Sequence, residues 1–176
     1  MLGDELKSNF KGEDFMDKTI KRIVLSGIIA ALYAALTLLL APIAYGPIQF
    51  RVSEVLVLLA YFDPFYIIGL TLGCFIANIL GPNGLMDIIF GTLATFISVI
   101  AIYLTSKVNL KEKYRLFWAS LWPTLFNGLI IGTMLSYLLN VPLILTIIEV
   151  AVGEFVVVSI LGVTIMYNIR DKIRKL

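Results

Sequence analysis

The chain has 176 residues, of which 60% are hydrophobic and only 15% are charged, and its formal net charge is +2. Soluble domains contain about 45–50% apolar and ~25% charged residues, so this composition excludes an ordinary soluble protein and indicates an integral membrane protein. The sequence has no histidine and one cysteine. It therefore cannot form a disulfide bond within the chain, and we predict neither a Cys/His metal site nor another cofactor.

The first 19 residues differ in composition from the rest, because they are polar and carry charges of both signs. The apolar run that follows is too long for a secretory signal. We therefore expect residues 1–19 to form a cytoplasmic tail, followed by one transmembrane domain over residues 20–176.

The first predicted helix runs from about Thr19 to Ile43 and carries small residues at four-residue spacing. Such a stripe lets the backbone of another helix approach closely. The residues alone leave two uses equally open, namely docking of a separate membrane protein and packing within this chain. The stripe consists of Gly27, Ala31 and Ala35, with Ala30 and Ala34 beside them.

A loop follows the first helix, which ends at Pro42 and a Gly-Pro pair. The loop region contains Tyr45, Gln49, Arg51 and Glu54. We interpret it as a ligand-binding loop, because Arg51 is the only basic residue on its predicted side of the membrane. Arg51 and Glu54 are three residues apart, so an ion pair between them is an equally good interpretation.

Five further helices are predicted, over residues 52–62, 65–80, 85–106, 117–139 and 143–168. The first of these is too short to cross a bilayer without help from residues 47–53, since a crossing helix needs about 20 residues. Every Lys and Arg except Arg51 lies in the two tails or in the segments that flank the helices on one side. The positive-inside rule makes that side cytoplasmic. The sequence thus predicts an all-α, multi-pass cell-membrane protein with six transmembrane helices and both termini in the cytoplasm.

Two acidic residues, Glu149 and Glu154, lie inside the last predicted helix. Ionisable groups at membrane depth are costly and mark a binding site or a transport pathway by default. No basic residue at that depth in the first five helices can neutralise them. We therefore predict that at least one of them binds a ligand.

Other polar residues in the helices have plainer alternatives. Asp87 opens a helix, where the helix dipole favours a carboxylate without any ligand. For Asn78 we favour a helix cap or an interhelical hydrogen bond over ligand contact, and Asn127 suits either role. The flat side chains available for stacking on a ligand are Tyr45, Trp122 and Tyr137.

Enzyme motifs are absent from the sequence. It contains no GxxxxGK[ST] phosphate loop, no HExxH and no GxSxG, so we predict a protein that is not an enzyme and does not hydrolyse ATP itself. Its basic residues follow from membrane topology and do not indicate nucleic-acid binding.

Four segments resemble the QueT family, whose members are substrate-binding S components of energy-coupling factor (ECF) transporters. They are residues 30–42 (AALYAALTLLLAP), 45–54 (YGPIQFRVSE), 73–78 (GCFIAN) and 87–95 (DIIFGTLAT). The resemblance implies an S-component-like bundle of six helices with a pocket near the outer face, covered by the loop after the first helix. It also implies that the small-residue stripe docks on a transmembrane coupling subunit, which two ATPase subunits drive.

The cargo implied by the resemblance is a queuosine precursor, meaning a 7-deazaguanine such as the cyano or aminomethyl form, or queuine. A carboxylate can accept the adjacent donors of a guanine-like edge, and an amide can bond the base carbonyl. We therefore expect Glu149 or Glu154 to read the base edge, Asn127 to bond the carbonyl, and Asp87 or the other glutamate to meet the amine. The full set of predicted substrate-binding residues is Glu149, Glu154, Asn127, Asp87, Arg51, Glu54, Gln49, Tyr45, Asn78 and Trp122.

Three other functions remain open from the sequence. The chain could be an S component for another vitamin or nucleobase. It could be a self-sufficient proton-coupled carrier that uses Glu149 and Glu154 as a relay. It could also be a membrane assembly protein without a ligand.

Overall fold

A computed structural model describes the backbone of residues 2–175 and the side chains of residues 19–175. The described chain is helical throughout, without strands. Its elements are α1 (Leu2–Leu39), α2 (Ala41–Ala44), a 3₁₀ helix (Val52–Tyr61), α3 (Tyr66–Leu80), α4 (Gly84–Thr105), α5 (Glu112–Leu139) and α6 (Leu143–Ile173). All six helices expected from the sequence are present.

The helix ends differ from the sequence prediction in a consistent way. Helix α1 is helical from Leu2, so it does not break where the polar segment meets the apolar run. Helix α5 begins at Glu112, five residues before its predicted start, and α6 continues to Ile173. The apolar pattern detects only the apolar part of a helix, and these extensions carry charged residues that interrupt it.

In the described part of the chain, four helices are long and apolar enough to cross a membrane, namely residues Thr19–Leu39 of α1 together with α4, α5 and α6. The 3₁₀ helix and α3 are also apolar but contain only 10 and 15 residues. A 3₁₀ helix rises about 2.0 Å per residue and an α-helix about 1.5 Å, so each extends roughly 20 Å. The hydrocarbon core is about 30 Å thick, so a crossing by either element requires its flanking segments.

The 3₁₀ helix is the central element, because it contacts α1, α3, α4, α5 and α6. Val57, Leu58 and Ala60 in its middle are fully buried. At its start, the hydroxyl of Ser53 lies 2.6 Å from that of Thr37 on α1. This placement brings the polar first turn of the 3₁₀ helix into the interior of the bundle.

Helices α1 and α3 pack closely, with glycines of α3 against the backbone of α1. A Cβ at Gly73 would lie 2.7 Å from the carbonyl oxygen of Ala30, so only glycine permits this approach. Ala30 and Ala34 are 3% and 6% exposed. Both are buried within the chain, so this pair follows the internal-packing alternative and is covered in this structure.

The remaining members of the stripe have the opposite environment. Gly27, Ala31 and Ala35 are all exposed, and no atom lies within 4 Å of a Cβ built at Gly27. They share this outer face of α1 with Ile28 and Leu32, which are each 50% exposed. The sequence left internal packing and partner docking open, and the structure divides the small residues between an inner and an outer face.

Candidate functional site

The loop between α2 and the 3₁₀ helix is folded into the protein. Gln49 and Arg51 are only 2% and 4% exposed. Gln49 adopts a positive φ of 53°, which is uncommon for a residue other than glycine. Its backbone N–H donates to the carbonyl of Gly46 at 3.0 Å, and its own carbonyl accepts from the N–H of Arg51 at 2.8 Å. This tight turn directs both side chains inward.

Arg51 forms an ion pair with Asp87 at the start of α4. One guanidinium nitrogen lies 2.9 Å from Oδ2 and 3.2 Å from Oδ1 of Asp87, while Nε donates to the carbonyl of Ala44 at 3.3 Å. The guanidinium also stacks over the ring of Tyr45, at 5.0 Å from its centroid. The alternative ion pair between Arg51 and Glu54, which the sequence left open, does not form.

Tyr45 anchors the loop to α3. Its hydroxyl donates to the carbonyl of Ala77 at 2.5 Å, and a Cβ at Gly81 would lie 2.7 Å from its ring. Burial raises the pKa of Tyr45 to about 12, despite the nearby charge of Arg51. The phenol therefore remains a donor at physiological pH. The ring of Tyr45 packs against the guanidinium of Arg51. Tyr45 was expected to contact the ligand, and in this structure it has a structural role.

Asp87 has little capacity left for a ligand. Besides Arg51, its Oδ2 accepts from Asn83 at 3.3 Å, and its backbone carbonyl accepts from Asn78 at 3.0 Å. A Cβ at Gly91 would lie 2.5 Å from Oδ1 of Asp87. A π-helical segment of α4 runs from Asp87 to Gly91, and such segments occur frequently at functional sites. The bond from Asn78 is the interhelical kind that the sequence favoured for that residue.

Glu54 is 1% exposed, and protein donors reach only one of its two carboxylate oxygens. Its Oε1 accepts hydrogen bonds from the hydroxyl of Tyr33 on α1 and, at 3.3 Å, from that of Thr95 on α4. Its Oε2 is buried and has no hydrogen-bond partner. Sequence reasoning missed Tyr33 and Thr95. The available signal was that both are polar groups inside the segments that carry the family resemblance.

Glu154 on α6 has the same arrangement. It is 2% exposed, and its Oε1 accepts from Nδ2 of Asn127 on α5 at 2.8 Å. Its Oε2 is buried without a partner. Asn127 therefore forms an interhelical hydrogen bond, which was one of its two interpretations, and its partner is a predicted site residue.

These groups form one polar cluster, which we define as Gln49, Arg51, Glu54, Asp87, Asn127 and Glu154. Glu154 interacts electrostatically with both Glu54 and Arg51. The loop also reaches α6, since a Cβ at Gly153 would collide with the carbonyl of Ile48. The Nε2 of Gln49 is buried and unpaired like the two free carboxylate oxygens. The cluster thus joins the loop to α4, α5 and α6 and contains unused donor and acceptor capacity.

Two predicted site residues lie elsewhere. Glu149 is half-buried, and none of the described side chains pairs with it. Trp122 donates from Nε1 to Thr105 at 2.8 Å and stacks on Phe126, with ring centroids 5.6 Å apart. Thr105 is the last residue of α4, at the end opposite Asp87, so Trp122 belongs to a different region. Tyr137, a further candidate for stacking, is 78% exposed.

Two apolar grooves lie on the outer surface and contain none of the cluster residues. The larger, of about 640 Å³, lies between α4 and α5 and includes Phe90, Met134 and Tyr137. The smaller, of about 410 Å³, lies between α3 and α4 and includes Phe75 and Phe96. Among the described residues there is also no group of three or more His, Cys, Asp or Glu side chains that could hold a metal ion.

Comparison with known proteins adds independent information. A family model described as "QueT transporter" matches residues 23–171. The Queuosine precursor transporter QueT of Lactococcus lactis subsp. cremoris (strain MG1363) is 38% identical over 146 residues, which cover 76% of this chain and 83% of that relative. No solved structure matches this chain significantly. The chain is therefore a multi-pass membrane protein of the QueT transporter family, and the family assignment indicates a transporter and not an enzyme.

Proposed function

We propose that this protein is the substrate-binding S component of an ECF-type importer and that it captures a queuosine precursor from outside the cell. The cargo class rests on the similarity to the Queuosine precursor transporter QueT of Lactococcus lactis. The S-component role rests on the four sequence segments that resemble this class of protein and on a buried polar site beneath a single loop.

One observation supports a ligand most strongly. Glu54 and Glu154 each have one oxygen held by protein donors and one buried oxygen without a partner. A buried acceptor without a partner costs about 1–3 kcal/mol, and a charged one costs more. Arg51 offsets only part of this cost, because Asp87 already pairs with it and it donates no hydrogen bond to either glutamate. A ligand that supplies donors to both free oxygens removes the penalty.

A 7-deazaguanine has the required chemistry. Its guanine-like edge presents adjacent N–H and amino donors that a carboxylate can accept together. Its carbonyl can accept from an amide such as Asn127 or Gln49, and Nε2 of Gln49 is buried and unpaired. We assign the base edge to Glu154, which has Asn127 beside it, and exclude Glu149 because it lies outside the cluster.

The transport arrangement that we propose has six membrane crossings and both termini in the cytoplasm. The four long apolar helices and the two shorter ones supply the crossings. The exposed face of Gly27, Ala31 and Ala35 has the small side chains that allow a close helix–helix contact. We propose that this face docks on the transmembrane coupling subunit, which two ATPase subunits drive.

A binding titration of the purified protein tests the cargo. The panel consists of 7-deazaguanines, with guanine as a competitor that lacks the 7-substituent and riboflavin as a competitor of different shape. We expect tight binding of a deazaguanine, and a loss on the order of 10- to 100-fold for Glu154→Gln, as for a hydrogen bond to a charged group. Glu149→Gln is the matched control and leaves the affinity unchanged. Equal affinity for riboflavin, or no effect of Glu154→Gln, would contradict the proposal.

A proton-coupled carrier is the second candidate, and the two buried carboxylates that interact electrostatically favour it. Reconstitution of this chain alone into vesicles distinguishes the two functions. Uptake driven by a pH gradient supports the carrier, whereas an S component accumulates substrate only when the coupling subunit and the ATPases are present.

A further inference from the structure

The two carboxylates with a free oxygen have different neighbours. Beside Glu154 lies an amide, Asn127, which has further donor and acceptor capacity of its own. Glu54 is instead held by two hydroxyl groups, from Tyr33 and Thr95, and both donate to the same oxygen. Glu54 therefore offers a single carboxylate oxygen as an acceptor, and its recorded protein partners are hydroxyl groups.

Both hydroxyl groups that hold Glu54 are themselves fixed. Tyr33 is fully buried, and the hydroxyl of Thr37 donates to its carbonyl at 2.8 Å. A Cβ at Gly73 would lie 2.8 Å from the Cβ of Tyr33, so α3 packs directly on this side chain. Thr95 is 1% exposed and lies 3.2 Å from the sulfur of Cys74. The donors are thus rigid, and they leave Oε2 of Glu54 as the free oxygen.

The charge of the cluster indicates what that oxygen binds. Arg51 is the only basic side chain of the cluster, and one of its guanidinium nitrogens contacts both carboxylate oxygens of Asp87. Every other described Lys and Arg lies near the predicted cytoplasmic ends of the helices or in the loop between them. Buried acids without a basic partner are costly. A ligand with one positive charge compensates one of them and donates to its free oxygen.

We infer that Tyr33 and Thr95 are positioning residues that orient Glu54 as the acceptor for a ligand's ammonium group, so that the site selects an amine-bearing 7-deazaguanine over a neutral one. This inference rests on the proposed function, because it assumes that Glu154 and Asn127 hold the base. In this arrangement Glu154 determines whether a deazaguanine binds, and Glu54 determines which substituent it carries.

The ratio of two affinities measures this selectivity. The probes are 7-aminomethyl-7-deazaguanine, which is a cation at neutral pH, and the neutral 7-cyano-7-deazaguanine. Glu54→Gln is expected to weaken the amine by on the order of 10- to 100-fold, as for a charge-assisted hydrogen bond. The nitrile should change by less than about threefold, since it lacks that bond.

Conservative variants test the positioning role. Tyr33→Phe and Thr95→Val each remove one donor to Glu54 and should lower the preference for the amine by about 2- to 10-fold. Glu149→Gln and Thr92→Val are matched controls outside the cluster and should leave the ratio unchanged. A purely structural defect weakens both probes equally, so it cancels in the ratio.

The outcomes separate the two proposals. If the wild-type protein binds neither probe nor queuine, the proposed function is refuted; if it binds queuine but neither probe, only this inference fails. If it binds a deazaguanine but Glu54→Gln weakens both probes equally, the proposed function stands and this inference fails. If Glu54→Gln changes the ratio but Tyr33→Phe and Thr95→Val do not, the positioning role is refuted.

Discussion

The ion pair between Arg51 and Asp87 gives the sharpest test of the structure. Its two side chains are 4% and 0% exposed, and the shortest contact is 2.9 Å. Removing one partner of a buried pair leaves an uncompensated charge and costs about 3–5 kcal/mol, whereas replacing both by neutral groups is often nearly neutral. We therefore expect Arg51→Met to destabilise the protein by about that amount, and the double variant with Asp87→Asn to recover most of the loss.

The assay is the free energy of unfolding of the purified protein in detergent, measured for both single variants and the double variant. The control is the ion pair of Arg22 with Asp63, at 3.1 Å, in which the side chain of Arg22 is 55% exposed. Exposed pairs contribute about 0–1 kcal/mol, so Arg22→Met should have a small effect. A cost below about 1 kcal/mol for Arg51→Met, or a double variant no better than the worse single one, would refute the buried pair.

Three further predictions concern packing and docking. Gly91→Ala should destabilise the protein by about 1–3 kcal/mol through its clash with Asp87, while Gly27→Ala, with open space around it, should be neutral or slightly stabilising in the same unfolding assay. If the exposed stripe docks the coupling subunit, Ala31→Leu should weaken co-purification with that subunit and leave the ligand affinity unchanged; intact co-purification would remove the stripe from the interface. Trp122→Phe should cost about 1 kcal/mol by losing its hydrogen bond and should not alter ligand affinity, whereas a large loss of affinity would place Trp122 back in the site.

The sequence alone determined the class of protein and the sites of the helices. Apolar runs of the right length indicate membrane helices, and proline and glycine end them, as at Pro42, where α1 stops at Leu39 and a short second helix begins. These signals are local, so they can be read from the sequence without knowledge of the fold. The sequence also identified Arg51 as exceptional, because it is the only basic residue on its predicted side of the membrane.

Tertiary structure decided which of these residues act together. Glu149 and Glu154 are five residues apart, so on a helix with 3.6 residues per turn their side chains point about 140° apart, and only the orientation of α6 places Glu154 inside. In the same way, the orientation of α1 buries Ala30 and exposes its neighbour Ala31. Arg51 pairs with Asp87, 36 residues away in the sequence, and not with Glu54, three residues away. Such choices depend on how each helix is rotated against its neighbours, and that rotation results from the packing of the whole bundle and is not encoded within any single turn.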